Sequence, residues 1–345
     1  MTSSSTTPSS AQSSAQGLPV RRIGRFYLTD KLGKGSNGAV FLGHDPVIDR
    51  AVAIKILGTS HGIADKKQRE QQFINEARAA GRLSHQNIVT IFDASSEGGT
   101  TFIAMEFLQG KDLRELLASG KRFDSIETAN IIHKIAEALA YAHDNGVIHR
   151  DIKPANIFIL PNKQPKVVDF GIARAPNRIL MNPDNPEQTL FNNNILGTPN
   201  YMSPEQAMGQ QVNNLTDVFS LGAVMYEMLT QQKPFQSNDL DKLLNQIAHK
   251  QAKPPSELNP NVSVSLSNIV SKAMQKNPAD RYGSAAEMAH ALQKVLERDQ
   301  RLKRKRKQGG KDSSDFSNDD KPSISWISWV ALIAAIGLVA AYSLQ

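Results

Sequence analysis

Residues 147–160 read VIHRDIKPANIFIL and residues 167–174 read VVDFGIAR, which sets Asp151 and Asp169 eighteen positions apart between apolar, strand-like flanks. Toward the N-terminus, VAIK ends an apolar strand segment on Lys55, an odd place for an ammonium unless it has a partner. Glu76 shares a helical face with Phe73 and Ala80, so it points inward and is the natural candidate to pair with Lys55. Taken alone, a structural ion pair or an exposed strand-edge lysine explains these two residues better than chemistry does. Farther upstream, LGKGSNGAVFLG (residues 32–43) sets Gly33, Gly35 and Gly38 at Gly-x-Gly-x-x-Gly spacing, with Val40 two residues on. Glycines let backbone N–H groups close over phosphates without side-chain interference. Alone this pattern is weak, and a glycine-rich hairpin without a ligand competes with it. It lies between strands and not ahead of a helix, which argues against a dinucleotide-binding crossover.

The order decides. A glycine loop, then VAIK, then HRDxKPxN, then DFG resembles the eukaryotic-like (Hanks-type) Ser/Thr protein kinases, the bacterial members above all, over about residues 23–297. The resemblance implies an α+β fold with a small sheet-rich N-lobe and a large helical C-lobe. It also implies transfer of the γ-phosphoryl group of ATP to protein hydroxyls, with Mg²⁺ (or Mn²⁺ in its place) as the metal. Leu32, Gly33, Lys34, Gly35, Ser36, Asn37 and Gly38 would then cover the phosphates, and Lys55, held by Glu76, would bind the α and β groups. Asp151 would accept or orient the substrate proton, and Lys153 would contact the γ-phosphate. Asn156 and Asp169 would hold the metal. Met105 would be the gatekeeper, Glu106 to Leu108 the hinge, and Val40, Ala53 and Phe158 the sandwich around the base. Phe158 is bulkier than the leucine common there.

Downstream, GTPNYMSPE (197–205) resembles the substrate-facing end of a kinase activation segment, with Ser203 in place of the usual alanine. By the same resemblance Thr198 would bond Asp151 and Lys153, Asp217 would hold the catalytic-loop backbone, and Arg281 would pair with Glu205. Between Asp169 and Glu205 the segment is long, rich in Asn and Pro and without periodicity, a composition that favours a mobile loop. Arg150, just before Asp151, marks kinases in which a loop phosphate orders this segment. Thr189, with Thr198, is the expected acceptor. Every functional position is filled, so a pseudokinase scaffold is the runner-up.

The body supports two lobes. Strand-like runs fall at 26–28, 39–42, 52–56, 88–92 and 101–107, with a helix at about 66–83. Past Gly110 helical spacing dominates: a long helix after Asp124 lined by Ile131, Ile135, Leu139 and Ala142, then 215–229, 239–249, 265–275 and 284–298.

The formal net charge is +7, and residues 298–311 alone carry eight Lys or Arg against Asp299, which accounts for all of it. With the rest of the chain neutral, no general electrostatic case for nucleic acid survives. There are no cysteines, so disulfides and thiolate metal sites are excluded. The Ser/Thr-rich residues 1–22 predict a disordered lead-in. From Ser323 to Gln345 the chain carries no charge. Ile324–Leu344 is long enough, at roughly 31 Å as a helix, to cross a hydrocarbon core of about 30 Å. Trp326, Trp329 and Tyr342 mark its ends. The expected organisation is therefore lead-in 1–22, kinase domain 23–297, polybasic juxtamembrane tether 298–322 (flexible from 308) and transmembrane helix 323–345. That is a single-pass cell-membrane protein with a cytoplasmic kinase domain and, since the sequence stops at Gln345, no extracellular sensor. The expected partners are protein substrates and membrane lipid. A homodimer is weakly hinted at by the small-residue spacing of Gly337 and Ala341.

Overall fold

The structure is a computed structural model that describes residues 21–35, 38–58, 63–170 and 199–312. The expected span, residues 171–198 of the activation segment with Thr189 and Thr198, and the loop tip Ser36–Asn37 lie outside the described residues. The chain divides into two compact units, residues 1–296 and 297–345.

Within the first unit the N-terminal part is a six-stranded antiparallel sheet. Its strands are β1 (Arg21–Ile23), β2 (Phe26–Gly35), β3 (Gly38–Asp45), β4 (Arg50–Leu57), β5 (Ile91–Glu97) and β6 (Thr100–Glu106), in the order β1-β2-β3-β4-β6-β5. Helix α1 (Ile63–Ala80) packs on it through Phe73 and Ala77 against Ile103. The sheet's other apolar cluster joins Phe26, Val52, Ile54 and Phe102, with the Phe26 and Phe102 rings edge to face at 6.0 Å. Removing each such ring from water contributes about 1.5–3 kcal/mol.

Three expectations shift here. Arg21 and Arg22, which the expected lead-in 1–22 included, pair with Leu28 and Tyr27 as β1. The helix is α1 at 63–80, three residues earlier at each end than the sequence pattern predicts. The run 88–92 is not one strand. Ile88 and Val89 leave the sheet to meet Val167, by a parallel bridge and by Val89 N–H donating to Val167 O at 2.9 Å. The ladder itself starts at Ile91 and runs into the polar Ser95–Glu97. Apolarity there marks burial and not pairing.

The larger part is helical. A small sheet of β7 (Lys111–Asp112), β8 (Ile157–Ile159) and β9 (Pro165–Val167) leads it, in the order β7-β8-β9. Helices α2 (Leu113–Ala118), α3 (Ser125–Asp144), α4 (Pro204–Ala207), α5 (Leu215–Thr230), α6 (Leu240–His249), α7 (Pro255–Leu258), α8 (Val264–Ala273) and α9 (Ala285–Asp312) follow in chain order. Asp124 starts α3 by accepting the N–H groups of Ile126 and Glu127 at 2.9 and 2.7 Å, as a helix N-cap should. Ile131, Ile135 and Leu139 of α3 and Phe219, Val224 and Met228 of α5 form the centre of one continuous core. Nearly every residue of α5 is buried, which marks it as the post on which the loops above are mounted.

Helix α9 continues to Asp312, past the expected end near residue 298. The cation run is therefore helical through its length, and residues 308–312 are helix where a flexible tether is expected. Ion pairs one turn apart, Glu297 with Arg301 at 3.7 Å and Asp299 with Lys303 at 2.8 Å, offset part of the crowding of like charge.

Candidate active site

The β2–β3 hairpin carries the glycine pattern, with Gly33 opposite Val40, Lys34 opposite Ala39 and Gly35 opposite Gly38. Its glycines are not equivalent. Gly38 has φ +139°, and a Cβ there would lie 1.8 Å from the Ile56 carbonyl oxygen. A Cβ on Gly33 would meet nothing within 4 Å. Leu32, just before them, is exposed.

Register places the next residues. On β4, Ala53 stands opposite Met105 and Lys55 opposite Ile103 and Val40. Ala53, Met105 and Val89 are buried together, with Val40, Phe107, Leu108 and Val168 packed around them. This apolar slot contains most of the residues expected to hold a base. Val89 and Val168 are additions the sequence pattern did not single out, although Val168 immediately precedes Asp169. Phe158 is not in the cluster; it lies on β8 opposite Asp112 and Lys166. Glu106 is tied by its carboxylate to Lys166 Nζ at 2.7 Å, which joins the hinge to β9.

Lys55 is buried and does not pair with Glu76. Its Nζ lies 2.8 Å from Asp169 Oδ1. Glu76 instead accepts from Gln72 Nε2 at 2.9 Å, and its Oε2 is buried without a hydrogen-bond partner. Burial pushes the Glu76 carboxyl above the usual range, against the Gln72 bond and the Arg150 charge that pull it down. For Asp169 burial also raises the carboxyl, but the charge and hydrogen bond of Lys55, helped by His149 and Lys153, prevail and hold it low. The ammonium is at bonding distance from Asp169, the acid that it holds ionised. The expected pair is thus replaced by Lys55–Asp169.

The catalytic-loop residues converge on one carboxylate. Lys153 Nζ is 2.7 Å from Asp151 Oδ2, and Asn156 Nδ2 donates to Asp151 O at 2.8 Å and to Oδ2 at 3.2 Å. Asn156 O accepts Val168 N–H at 3.0 Å, so β8 and β9 bring Asn156 beside the residue that leads into Asp169. Among the described residues no group of three or more His, Cys, Asp or Glu is arranged to hold a metal. Asn156 and Asp169 each carry a side-chain oxygen, the donor type that suits Mg²⁺, which usually keeps waters and phosphates as its other ligands.

The loop is suspended from α5. Asp217, fully buried, accepts His149 N–H and Arg150 N–H, each at 2.8 Å, and His143 Nε2–H at 2.8 Å. His149 Nδ1 accepts Asp151 N–H at 3.2 Å, which leaves Nε2–H to donate to Val168 O at 2.9 Å. Its ring rests 4.7 Å from that of Phe170, itself buried in the helical core. Arg150 and Asp169 both have left-handed backbone, φ +65° and +63°. Such conformations persist where surrounding bonds over-determine them.

Below, Arg281 uses all five N–H groups. Nη1 donates to Glu205 Oε1 and Leu215 O at 2.9 and 3.0 Å, Nη2 to Glu205 Oε2 and Lys276 O at 2.7 and 3.1 Å, and Nε to Gln275 O at 2.8 Å. Ser203, the departure from the usual alanine, has a structural role. It caps α4 in a reciprocal box with Gln206.

A small six-stranded sheet joined to a helical body, with Lys55 paired to Asp169 and Asp151 held by Lys153 and Asn156, makes the two-lobed kinase fold. Residues 26–294 match the protein kinase domain family, and the chain belongs to that family. It is 39% identical over 276 residues to the probable serine/threonine-protein kinase PknB of Corynebacterium glutamicum, covering 78% of this chain and 42% of that protein. It is 36% identical over 288 residues to the serine/threonine-protein kinase PrkC of Bacillus subtilis, covering 83% and 42%. The crystal structure of the Mycobacterium tuberculosis PknI kinase domain superposes with a TM-score of 0.62 at 25% identity, over 80% of this chain and 97% of that one. The chain spans about two fifths of the length of the curated relatives it matches.

Proposed function

We propose that this chain is an ATP-dependent Ser/Thr protein kinase whose substrates are protein hydroxyls. The observation that carries the reading is the convergence of Lys153 and Asn156 on Asp151 beside the Lys55–Asp169 pair. Phosphoryl transfer demands little covalent chemistry from the protein, and its catalysis is mostly positioning and neutralisation of charge. The slot of Val40, Ala53 and Met105 holds the base, and the hinge offers backbone groups to its edge. Gly38 gives the hairpin its close backbone approach. Lys55 binds phosphate oxygens, and Asn156 and Asp169 would hold a Mg²⁺, which would supply neutralisation of phosphate charge. Asp151 orients the acceptor hydroxyl and takes its proton. Lys153 fixes that carboxylate and faces the transferred group.

The test is transfer of labelled phosphate from ATP to a generic basic protein. We expect transfer by the wild type and a loss of about 100-fold or more for Asp151→Asn. No transfer by the wild type alongside intact nucleotide binding would favour the pseudokinase scaffold instead.

We further propose autophosphorylation at Thr189, with Thr198, as the activating event; Arg150 supplies the cation that a loop phosphate would meet. Mass spectrometry of ATP-treated protein should find the phosphate. Unchanged activity in Thr189→Ala would sink that residue's role. The uncharged stretch 323–345 and the cations at 303–307 support a single-pass anchor with the kinase domain on the cytoplasmic side. Pairing of two copies through the span is part of the same proposal.

A further inference from the structure

Gln206 stands outside every candidate set read from the sequence, yet its side chain reaches the catalytic loop. Its Nε2 donates to Arg150 O at 2.8 Å, while its Oε1 accepts Ser203 N–H at 3.1 Å. The Arg150–Asp151 peptide unit is thereby pinned at both ends, since Asp151 N–H donates to His149 Nδ1 at 3.2 Å. One residue earlier, Arg150 N–H is held by Asp217 at 2.8 Å. The pinned unit lies between an Arg150 in the left-handed region, φ +65°, and the Cα that carries the Asp151 carboxylate. Rotation of that peptide plane would swing Asp151 directly.

We infer that Gln206 is a positioning residue for Asp151, coupling the docked end of the substrate-facing segment to the orientation of the catalytic carboxylate. The same amide that closes the α4 cap with Ser203 holds the Arg150 carbonyl. A segment whose end is undocked therefore releases the peptide that aims Asp151. The inference rests on the kinase reading. The competing account is that Gln206 is only the cap partner of Ser203 and touches Arg150 without consequence.

Three variants of the full chain separate these. Ser203→Ala removes the hydroxyl of the cap but keeps the backbone N–H that Gln206 accepts, so stability should fall while kcat holds. Gln206→Glu keeps the acceptor for Ser203 N–H but presents a carboxylate to the Arg150 carbonyl near neutral pH. Its kcat should fall about tenfold or more, since small misplacements of a reacting group are costly. The KM for ATP should stay within about twofold, because the nucleotide contacts are elsewhere. Its deficit relative to wild type should shrink as pH falls from about 7.5 toward the ordinary glutamate value of about 4.3, as the protonated acid regains an O–H donor for Arg150 O. Gln206→Met, of similar length and with no donor, should show the kcat loss without the pH recovery, and it stands in if the glutamate variant fails to fold. All rates are taken per nucleotide-binding site, so unfolded protein does not count as lost catalysis. A wild-type kcat in both Gln206 variants, or a deficit in Gln206→Glu that ignores pH, overturns the inference. A wild type that transfers nothing overturns the kinase reading instead.

Discussion

Gly33 and Gly38 share a motif but not a reason for being glycine. At Gly38 a side chain would have both an unfavourable φ of +139° and the Ile56 carbonyl in its way, whereas Gly33 faces open space. Gly38→Ala should therefore destabilise by at least about 1–3 kcal/mol, measured by urea unfolding, and weaken nucleotide binding. Gly33→Ala should leave the unfolding midpoint near wild type. The Glu205–Arg281 pair behaves differently. Burial raises the Glu205 carboxyl, but the bonds and charge of Arg281 and the Thr216 hydroxyl prevail and lower it below 4.5. A depressed folded value means the unfolded chain binds the proton more tightly. The pair's contribution is thus present above about pH 4.5 and lost as pH falls through the folded value. Urea midpoints taken from pH 6 downward, on a scale of about 1.4 kcal/mol per pKa unit, should fall more steeply in wild type than in Glu205→Gln. Removing the cation by Arg281→Ala should cost about 3–5 kcal/mol, because a buried carboxylate is left unpaired.

Among the elements, the starts of the long helices after Gly110 were legible and short strands were not. Asp124 announces α3 by its side-chain chemistry, and Asp124→Ala should cost about 1 kcal/mol in thermal or urea unfolding. By contrast β7, β8 and β9, of two or three residues each, are set by partners far away in sequence and carry no period of their own. The same logic explains 88–92, where Ile88 and Val89 are apolar because they dock on Val167. Motif residues such as Asp151, Asn156 and Asp217 were legible because the chemistry demands their types at fixed spacing. Their partners were less so: Lys55 could be foreseen to need an anion, but which anion depends on the backbone at Asp169, with its φ of +63°. Gln206 escaped because a glutamine beside a helix cap carries no period and no charge, and its partner is a backbone carbonyl.

For the whole molecule, charge is segregated: residues 23–297 sum to +1, whereas residues 298–311, near the end of the last helix, sum to +7. On the membrane reading each cation near an anionic surface contributes roughly 1 kcal/mol. Neutralising residues 303–307 should then reduce partitioning onto phosphatidylserine vesicles and flatten its salt dependence. Unaltered partitioning would make the run a spacer. The Lys55–Asp169 contact has its own consequence at this scale. Lys55 is the candidate ligand for phosphate and, at the same time, the counterion of the candidate metal ligand. On the kinase reading Asp169 Oδ1, now held by Lys55 at 2.8 Å, would be wanted by a divalent ion, and the Lys55 ammonium would be wanted by phosphate. On that reading metal and nucleotide loading would be coupled through one ion pair, and each would change the other's affinity by the same factor.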